Sequence, residues 1–242
     1  MTINSTAKSI SSIPEAKLAP PADGGHHPVM DSVVGYLVSA IRSQQRNVVN
    51  GDGAFSFSAE TEGTIELLES ILASKSEKYA DPSLRHFFMM NNWRYLEKAN
   101  KRRDIDIAIF GDVWYQKHRE KVQQNLELYQ KCSWDKLVQF LKLDIIEPME
   151  HNIAVDLMKE KLNLFNMYFT ETCRIQCTWS VHDYGLRTGI IRSLKNTLLP
   201  AYGIFIGKFQ DFLKNSAYEY IEYGMFDIHD ILDNLFLGTK TF

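Results

Sequence analysis

Residues 78–102, KYADPSLRHFFMMNNWRYLEKANKR, and residues 110–134, FGDVWYQKHREKVQQNLELYQKCSW, decide the fold class. Asp81-Pro82 predicts a helix start, because the Asp side chain can cap free backbone amides and Pro at the first helical position loses no hydrogen bond. The apolar residues that follow lie on two neighbouring helix faces, one with Leu84, Phe88 and Tyr95 and the other with Met89, Trp93 and Leu96. Two apolar faces predict a helix enclosed by partners on more than one side.

Similar helical spacing extends from this segment in both directions. Towards the N-terminus it predicts one helix through Val33, Leu37, Ile41 and Val48 to about Asn50, and another from Thr64 to Tyr79, with a loop over residues 51–63. Towards the C-terminus, Asp112, Ser133 and Asp183 are predicted to cap further helices, the second of them short, with Leu137, Phe140 and Leu141.

The C-terminal half contains the longest apolar pattern of the chain. After Pro148, apolar residues recur at steps of three and four at Met158, Leu162, Phe165, Phe169 and Cys173. Pro200 is predicted to kink the helix that follows Asp183, and a short closing helix is predicted around Ile228, Ile231, Leu232 and Leu235. No alternating run is long enough for a sheet, so the predicted fold class is all-α.

The composition is that of a soluble globular protein and excludes several functional classes. The 242 residues are 45% hydrophobic and 24% charged, with a formal net charge of −3. Such a small charge gives no bulk field that favours nucleic acid, so we expect no nucleic-acid partner. No apolar run approaches the roughly 18–20 residues that span a bilayer, and the N-terminus lacks the apolar segment of a secretory signal. The three cysteines form no plausible disulfide framework, which predicts reduced thiols and a cytoplasmic location.

Two regions are predicted from composition and pattern. Residues 1–25 are rich in Ser, Ala and Pro, which predicts a disordered N-terminal tail. Residues 26–242 are predicted to form the α-helical domain.

The sequence contains no arrangement typical of an enzyme. Cys173 and Cys177 are one helical turn apart and His182 follows, which would suit a metal site. Because Cys173 falls on the apolar face, buried structural cysteine is the favoured interpretation. Glycine-rich phosphate loops and paired catalytic carboxylates are lacking as well. We therefore expect no catalytic residues, no metal and no cofactor.

A basic cluster is the first candidate contact surface. It consists of Arg94, Lys98, Lys101, Arg102 and Arg103. A cluster of this size can bind an acidic partner or anionic lipid. A solvated helix end, whose cations favour the negative end of the helix dipole, is the alternative interpretation.

Several blocks resemble, in order, the C-terminal domain of the seventy-kilodalton exocyst subunit (the Exo-seventy family) in its plant form. The resemblance covers roughly His26 to Gly238. The blocks are HHPVMDSVVGYL (26–37), KSEKYADPSLRHFFMMNNWRYL (75–96), GDVWYQKHREKVQQNLELY (111–129), CSWDKLVQFL (132–141), LNLFNMYFTETCRIQCTWSVHDYGLR (162–187) and LLPAYGIFIGKF (198–209).

This resemblance implies an elongated stack of helical bundles with no catalytic centre. Family members act in the exocyst, the complex that tethers secretory vesicles to the plasma membrane before fusion. The expected partners are therefore other exocyst subunits, a Rho-type GTPase and anionic plasma-membrane lipid such as phosphatidylinositol bisphosphate. The expected location is the cytoplasm, peripheral at the plasma membrane. Plant paralogues also act in defence against pathogens.

Two departures from the family pattern bear on function. The chain resembles only the C-terminal part of the family, so we expect a truncated form. The family's terminal block also carries two lipid-binding lysines, whereas the corresponding block here, EYIEY at 219–223, has Glu219 and Glu222. We expect weakened lipid binding. The cations left as candidate lipid contacts are Arg187, Arg192, Lys195, Lys208 and Lys214.

Two functions are consistent with these expectations. The first is a non-enzymatic exocyst subunit that acts in exocytosis through protein and phosphoinositide contacts. The alternative is a diverged paralogue outside the exocyst, acting as a protein-binding module in plant immunity with weakened lipid binding.

Overall fold

The computed structural model describes residues 14–49, 59–102, 111–143 and 150–238. These parts of the chain contain α-helices and two short 3-10 segments, with one isolated β-bridge between Ser180 and Leu237 and no strand. The prediction of an all-α fold is confirmed. The helices are α1 (Val29–Val49), α2 (Ala59–Ser76), α3 (Pro82–Arg102), α4 (Gly111–Ser133), α5 (Asp135–Phe140), α6 (His151–Gln176), α7 (Tyr184–Leu213) and α8 (Met225–Asp233).

The chain divides into two compact units, Met1–Leu128 and Tyr129–Phe242. In the first, α1, α2 and α3 pack on one another around a common core. The Asp81 carboxylate accepts a hydrogen bond from Ser83 N at 2.8 Å, which confirms the predicted cap of α3. Phe88, Trp93 and Leu96 are all buried, as the two apolar faces of that helix predict.

The segment before α1 lies against the helices of the first unit. Backbone carbonyls at Leu18, Pro21 and Gly24 accept hydrogen bonds from Lys75 Nζ (2.6 Å), Tyr79 Oη (2.5 Å) and Asn91 Nδ2 (2.8 Å), respectively. Gly24 has φ +68°, and a Cβ there would meet Leu84 Cδ1 at 2.6 Å. These contacts begin before residue 26, so the predicted tail includes residues that the structure places against α2 and α3. Residues 1–13 lie outside the described residues.

His27 and Asn92 complete this attachment. Asn92 Oδ1 accepts from His27 N at 2.8 Å, and Asn92 Nδ2 donates to Phe88 O at 2.7 Å. His27 Nδ1 accepts from Val29 N at 3.1 Å, and its Nε2 lies 3.2 Å from Leu18 O. Burial lowers the pKa of His27, which favours the neutral ring that this pattern requires.

The second unit is built from α5 to α8 and the last turn of α4. Its core contains packed aromatic rings. Phe165 and Phe169 of α6 are stacked at 5.5 Å between centroids, and Phe165 and Tyr202 of α7 are tilted at 5.0 Å. Asp183 caps α7 through a hydrogen bond from Leu186 N at 2.8 Å, as predicted. Pro200 lies inside α7, which continues past it to Leu213.

A buried polar network links α4 to α6 in this unit. Tyr129 Oη donates to Gln176 Oε1 at 2.5 Å, and Trp134 Nε1 donates to Tyr129 Oη at 2.7 Å. Gln176 Nε2 donates in turn to Ser133 Oγ. The prediction that Ser133 caps the short helix is therefore wrong, because the N-cap of α5 is Trp134 and the serine hydroxyl accepts from α6 instead.

Other predicted boundaries shift by a few residues. Helix α2 begins at Ala59, inside the predicted loop over residues 51–63, and ends at Ser76 before Tyr79. Helix α4 begins at Gly111, so Asp112 lies inside it, and the side chains of Asp112, Ile41 and Val48 lie outside the described residues, as does Asn50. Leu235 is buried but follows the end of α8 at Asp233. No helix among the described residues is both long and apolar enough to cross a membrane.

Candidate functional site

Two of the five candidate lipid-binding cations are engaged in holding the end of α8. Arg187 Nε donates to Leu235 O at 2.9 Å, and its Nη2 donates to Asp233 O. Lys195 Nζ lies 2.7 Å from Asp233 Oδ1 and 3.0 Å from His229 Nε2. Arg187 therefore binds backbone carbonyls at and just after the end of α8, whereas Lys195 binds side chains in its last turns; cations at this end complement the helix dipole.

Of the other three candidate cations, Arg192 and Lys208 do not share one side of α7. Arg192 and Lys214 are exposed and form no ion pair with any residue that the structure describes. Lys208 Nζ lies 5.7 Å from the centroid of the Phe212 ring. Since an α-helix turns ~100° per residue, Lys208 lies roughly 160° around α7 from Arg192. Arg192 and Lys208 therefore lie on different sides of α7, and Lys214 directly follows the end of the helix.

Glu219 and Glu222 line an open groove in the second unit, and both are exposed. The groove has a volume of about 410 Å³. One wall is formed by the segment Glu219, Tyr220, Ile221 and Glu222, and the other by Lys159, Asn163 and Asn166 of α6. The three α6 residues recur at helical spacing, which places them on one face.

The wall that carries the two glutamates is held by its tyrosines. The Tyr220 ring packs edge-on against Phe209 at 6.2 Å, and Lys159 Nζ lies 4.6 Å from its centroid. Tyr223 Oη is 2.7 Å from Thr170 Oγ1, and Tyr202 Oη donates to Tyr223 O at 2.6 Å. The glutamates therefore extend from an anchored backbone.

The negative charge of Glu222 acts on its neighbours. Burial raises the pKa of the Tyr202 phenol, and the charges of Asp227 and Glu222 raise it further. Burial also raises the pKa of Tyr223, with a contribution from Glu222. Both phenols stay protonated at neutral pH and can act as hydrogen-bond donors.

Among the residues of the groove, Asn166 has a buried side-chain oxygen without a hydrogen-bond donor in the part of the chain that the structure describes. It is only 7% exposed, and its Oδ1 accepts no hydrogen bond from the described residues. The sequence-based reasoning missed Lys159, Asn163 and Asn166. Their spacing of four and three residues predicts that they share one face of α6. The segment that forms the opposing wall could not be predicted, because its position depends on tertiary structure.

The basic cluster at the end of α3 is partly engaged with its own helix. Arg94 Nη1 lies 2.6 Å from Glu97 Oε2, and the Glu97 residue is only 3% exposed. Lys98 is half-buried. Lys101 and Arg102 lie in the last turn of α3, but their side chains, and the whole of Arg103, lie outside the described residues.

The cysteine and histidine set does not have the geometry of a metal site. Cys173 is fully buried, and burial raises the pKa of its thiol, which opposes the thiolate form that binds metals. Cys177 Sγ donates to Arg174 O at 3.1 Å, and His182 is exposed. Among the described residues, the side chains that do cluster closely enough for a cation are His229, Asp230 and Asp233, all exposed.

The sequence matches, over residues 2–234, the family model that describes the C-terminal part of the Exo70 subunit of the exocyst complex. It is 39% identical to Exocyst complex component EXO70B1 of Arabidopsis thaliana, over 93% of this chain and 37% of the relative. Identity to Exocyst complex component 7 of Homo sapiens is 26%, over 95% of this chain and 34% of the relative. The chain therefore spans about a third of the length of these relatives.

The fold is similar to that of a solved yeast structure. The match to S. cerevisiae Exo70 has a TM-score of 0.69 at 13% sequence identity and covers 97% of this chain and 50% of that one. At this identity the likeness establishes the helical fold alone.

Proposed function

The chain belongs to the Exo70 family of exocyst subunits, and on that basis we propose that it is a non-catalytic exocyst subunit that helps to tether secretory vesicles to the plasma membrane. The single observation that carries this proposal is the family match over residues 2–234. The all-α fold is consistent with action by binding.

The direct test is co-purification. The tagged 242-residue chain, expressed in plant cells, is expected to bring down other exocyst subunits that mass spectrometry can identify. A matched control carries Phe169→Asp, which places a carboxylate in the core of the second unit and should unfold it. Any exocyst subunit that this variant still captures is bound non-specifically. Reproducible absence of every exocyst subunit would contradict the proposal.

Anionic lipid is the second proposed partner, with reduced affinity. Each charge near an anionic leaflet is worth about 1 kcal/mol. Exchanging the family's two lysines for Glu219 and Glu222 changes the charge of this block by four, or roughly 4 kcal/mol, which approaches a thousandfold loss of affinity. The exposure of both glutamates supports this reasoning, because neither charge is neutralised by an ion pair with a described residue.

Liposome flotation with phosphatidylinositol bisphosphate tests the lipid proposal. We expect weak binding by the unmutated chain and at least roughly thirtyfold stronger binding after Glu219→Lys with Glu222→Lys. The control Glu120→Lys with Glu127→Lys makes the same charge change on the exposed face of α4. Strong binding by the unmutated chain, or an equal gain in the control, would rule out a specific role for the two glutamates.

The basic cluster is proposed as a protein contact, with a Rho-type GTPase as the partner to test. Arg94 is oriented by Glu97, so Lys98 and Lys101 are the better residues to change. Replacing both by Glu should abolish capture of a GTP-loaded Rho-type GTPase in a pull-down. Unchanged capture would favour the alternative interpretation, in which the basic cluster is a solvated helix end without a partner protein.

The alternative function is a protein-binding module in plant immunity, outside the exocyst. The acidic EYIEY block favours it, because weaker lipid binding would free the chain from the tethering site. The co-purification above separates the two functions. Recovery of immune receptors or pathogen proteins without exocyst subunits would support the alternative.

A further inference from the structure

Residues 18–27, here called the strap, are held to α2 and α3 by polar contacts. Two side chains converge on one atom of the strap, the carbonyl oxygen of Leu18. Lys75 Nζ donates to this oxygen at 2.6 Å, and His27 Nε2 lies 3.2 Å from it. His27 is fully buried and stands two residues before the start of α1. Its ring therefore connects the first and last residues of the strap.

The hydrogen bonds of His27 determine where its ring carries a proton. The backbone N–H of Val29 donates to Nδ1 at 3.1 Å, so Nδ1 has no proton of its own. The proton of the neutral ring must then be on Nε2, from which it is donated to Leu18 O. Each ring nitrogen thus has the one role that its partner allows.

A second proton on His27 is incompatible with this arrangement. It would bind Nδ1 and set the ring N–H against the N–H of Val29. Val29 would lose its acceptor at the first residue of α1, where backbone amides have no partner within the helix. The charged ring would also be fully buried, away from the water that stabilises an ion. Protonation of His27 and attachment of the strap therefore oppose each other.

The charged groups around the ring act in the same direction. Lys75 of α2, Lys78 just after α2 and the adjacent His26 all disfavour a further positive charge on His27. Helix α3 contributes the neutral amide of Asn92, whose Oδ1 accepts from His27 N at 2.8 Å. No cation-stabilising contact comes from these neighbours in the described part of the chain.

The acids of the strap and of the first turn of α1 make their hydrogen bonds elsewhere. Asp23 Oδ1 accepts from Gly25 N at 3.0 Å, and Asp31 Oδ2 lies 3.4 Å from His26 Nε2. Burial is the largest cause that lowers the pKa of His27 in the attached strap. Since release would return this pKa towards its ordinary value, protons favour the released strap.

We propose that uptake of one proton by His27 releases the strap from α2 and α3. Release uncovers Phe87, which is fully buried beneath Gly24, and takes from the Tyr79 hydroxyl its acceptor in the strap. Acidification thus exposes an apolar surface that the attached strap covers. This inference goes beyond the proposed tethering role and does not depend on it.

Hydrogen exchange of the full chain, followed by mass spectrometry, tests the release. Each exchange rate is divided by the intrinsic rate at the same pH, which gives the protection of peptides that span the strap. With a pKa of about 6.5 after release, this protection should fall roughly tenfold between about pH 7.5 and about pH 5.5.

Peptides from the middle of α2, around the fully buried Leu68, report unfolding of the whole unit in the same experiment. We expect their protection to fall by less than about threefold over the same pH range, because release of the strap is a local opening. An equal fall in the strap and in α2 would show that the unit unfolds as a whole and would overturn the proposal.

Two matched variants assign the effect to one ring. His27→Asn removes the titrating group and keeps a side-chain oxygen that can accept from Val29 N. In this variant the protection of the strap should change by less than about twofold between the two pH values. The control His26→Asn removes the adjacent, partly exposed histidine and should keep the roughly tenfold fall. A fall that persists in His27→Asn, or that disappears in His26→Asn, would contradict the proposal.

A spectroscopic measurement on the wild type decides the matter even if His27→Asn leaves the strap detached at both pH values. Long-range proton–nitrogen NMR spectra show which ring nitrogen of His27 carries the proton. We expect a proton on Nε2 and none on Nδ1 at about pH 7.5. A proton on Nδ1 at that pH would overturn the proposal. So would a doubly protonated ring at about pH 5.5 in a strap whose protection is unchanged.

Discussion

At the residue scale, Asn166 carries an energetic penalty that the sequence does not display. Its Oδ1 is enclosed without a hydrogen-bond donor among the described residues, and such a group costs about 1–3 kcal/mol. We expect Asn166→Leu to raise the free energy of unfolding by about 1 kcal/mol or more, since Leu has a similar size and no polar atom.

Urea denaturation followed by circular dichroism measures this change. The control is Asn163→Leu, an exposed position on the same helix, where no gain is expected. If the two variants were equally stable, the buried oxygen would carry no penalty.

Two buried histidines predict how stability depends on pH. Burial lowers the pKa of both His27 and His118 below the ordinary value of 6.5. The unfolded chain therefore takes up protons at these sites at higher pH than the folded chain does. Their contribution to stability is fully present above about pH 6.5 and is lost progressively as the pH falls below it.

Urea unfolding at about pH 7.5 and about pH 5.5 checks this prediction. His118 packs on the Trp114 ring at 3.9 Å between centroids, so His118→Phe keeps an aromatic ring there. We expect the variant to lose less stability than the wild type between the two pH values. An equal loss would show that His118 does not contribute.

At the element scale, helix starts were predictable where their signals are local. Asp81 and Asp183 cap amides two and three residues away, so the sequence alone identified them. Ser133 has the same side-chain chemistry, but it accepts from Gln176, a partner 43 residues away. Contacts of that range cannot be read from local spacing, and the groove opposite Asn166 was missed for the same reason.

The Asp183 cap leads to a prediction about α7. Asp183→Ala should lower the free energy of unfolding by about 1 kcal/mol, because Leu186 N loses its acceptor. The control Asp211→Ala removes an exposed acid near the other end of the same helix, where the dipole does not favour it. Comparable losses in both variants would contradict a capping role.

At the scale of the whole molecule, the all-α class followed from helical periodicity, and the family followed from ordered blocks of sequence. The division into two units, Met1–Leu128 and Tyr129–Phe242, did not follow from either. Helix α4 runs through the boundary without a break in its pattern, so the division arises from tertiary packing.

Each unit has its own buried core, which leads to a prediction about local stability. Leu68 and Phe169 are both fully buried, one in each unit. Replacement by Ala should cost about 2–5 kcal/mol at either site. Hydrogen exchange should show the loss of amide protection mainly in α1–α3 for Leu68→Ala and in α6 and α7 for Phe169→Ala. Uniform loss across the chain in both variants would contradict separate cores.

The attachment of the segment before α1 has a practical consequence for protein production. A recombinant fragment that starts at His26, where the sequence pattern places the domain, would lack the carbonyls of Leu18, Pro21 and Gly24. Lys75, only 6% exposed, would lose its acceptor, and the surface of Phe87 beneath Gly24 would be uncovered. Solubility screens, crystallisation trials and domain swaps among paralogues should therefore use fragments that begin no later than Pro14.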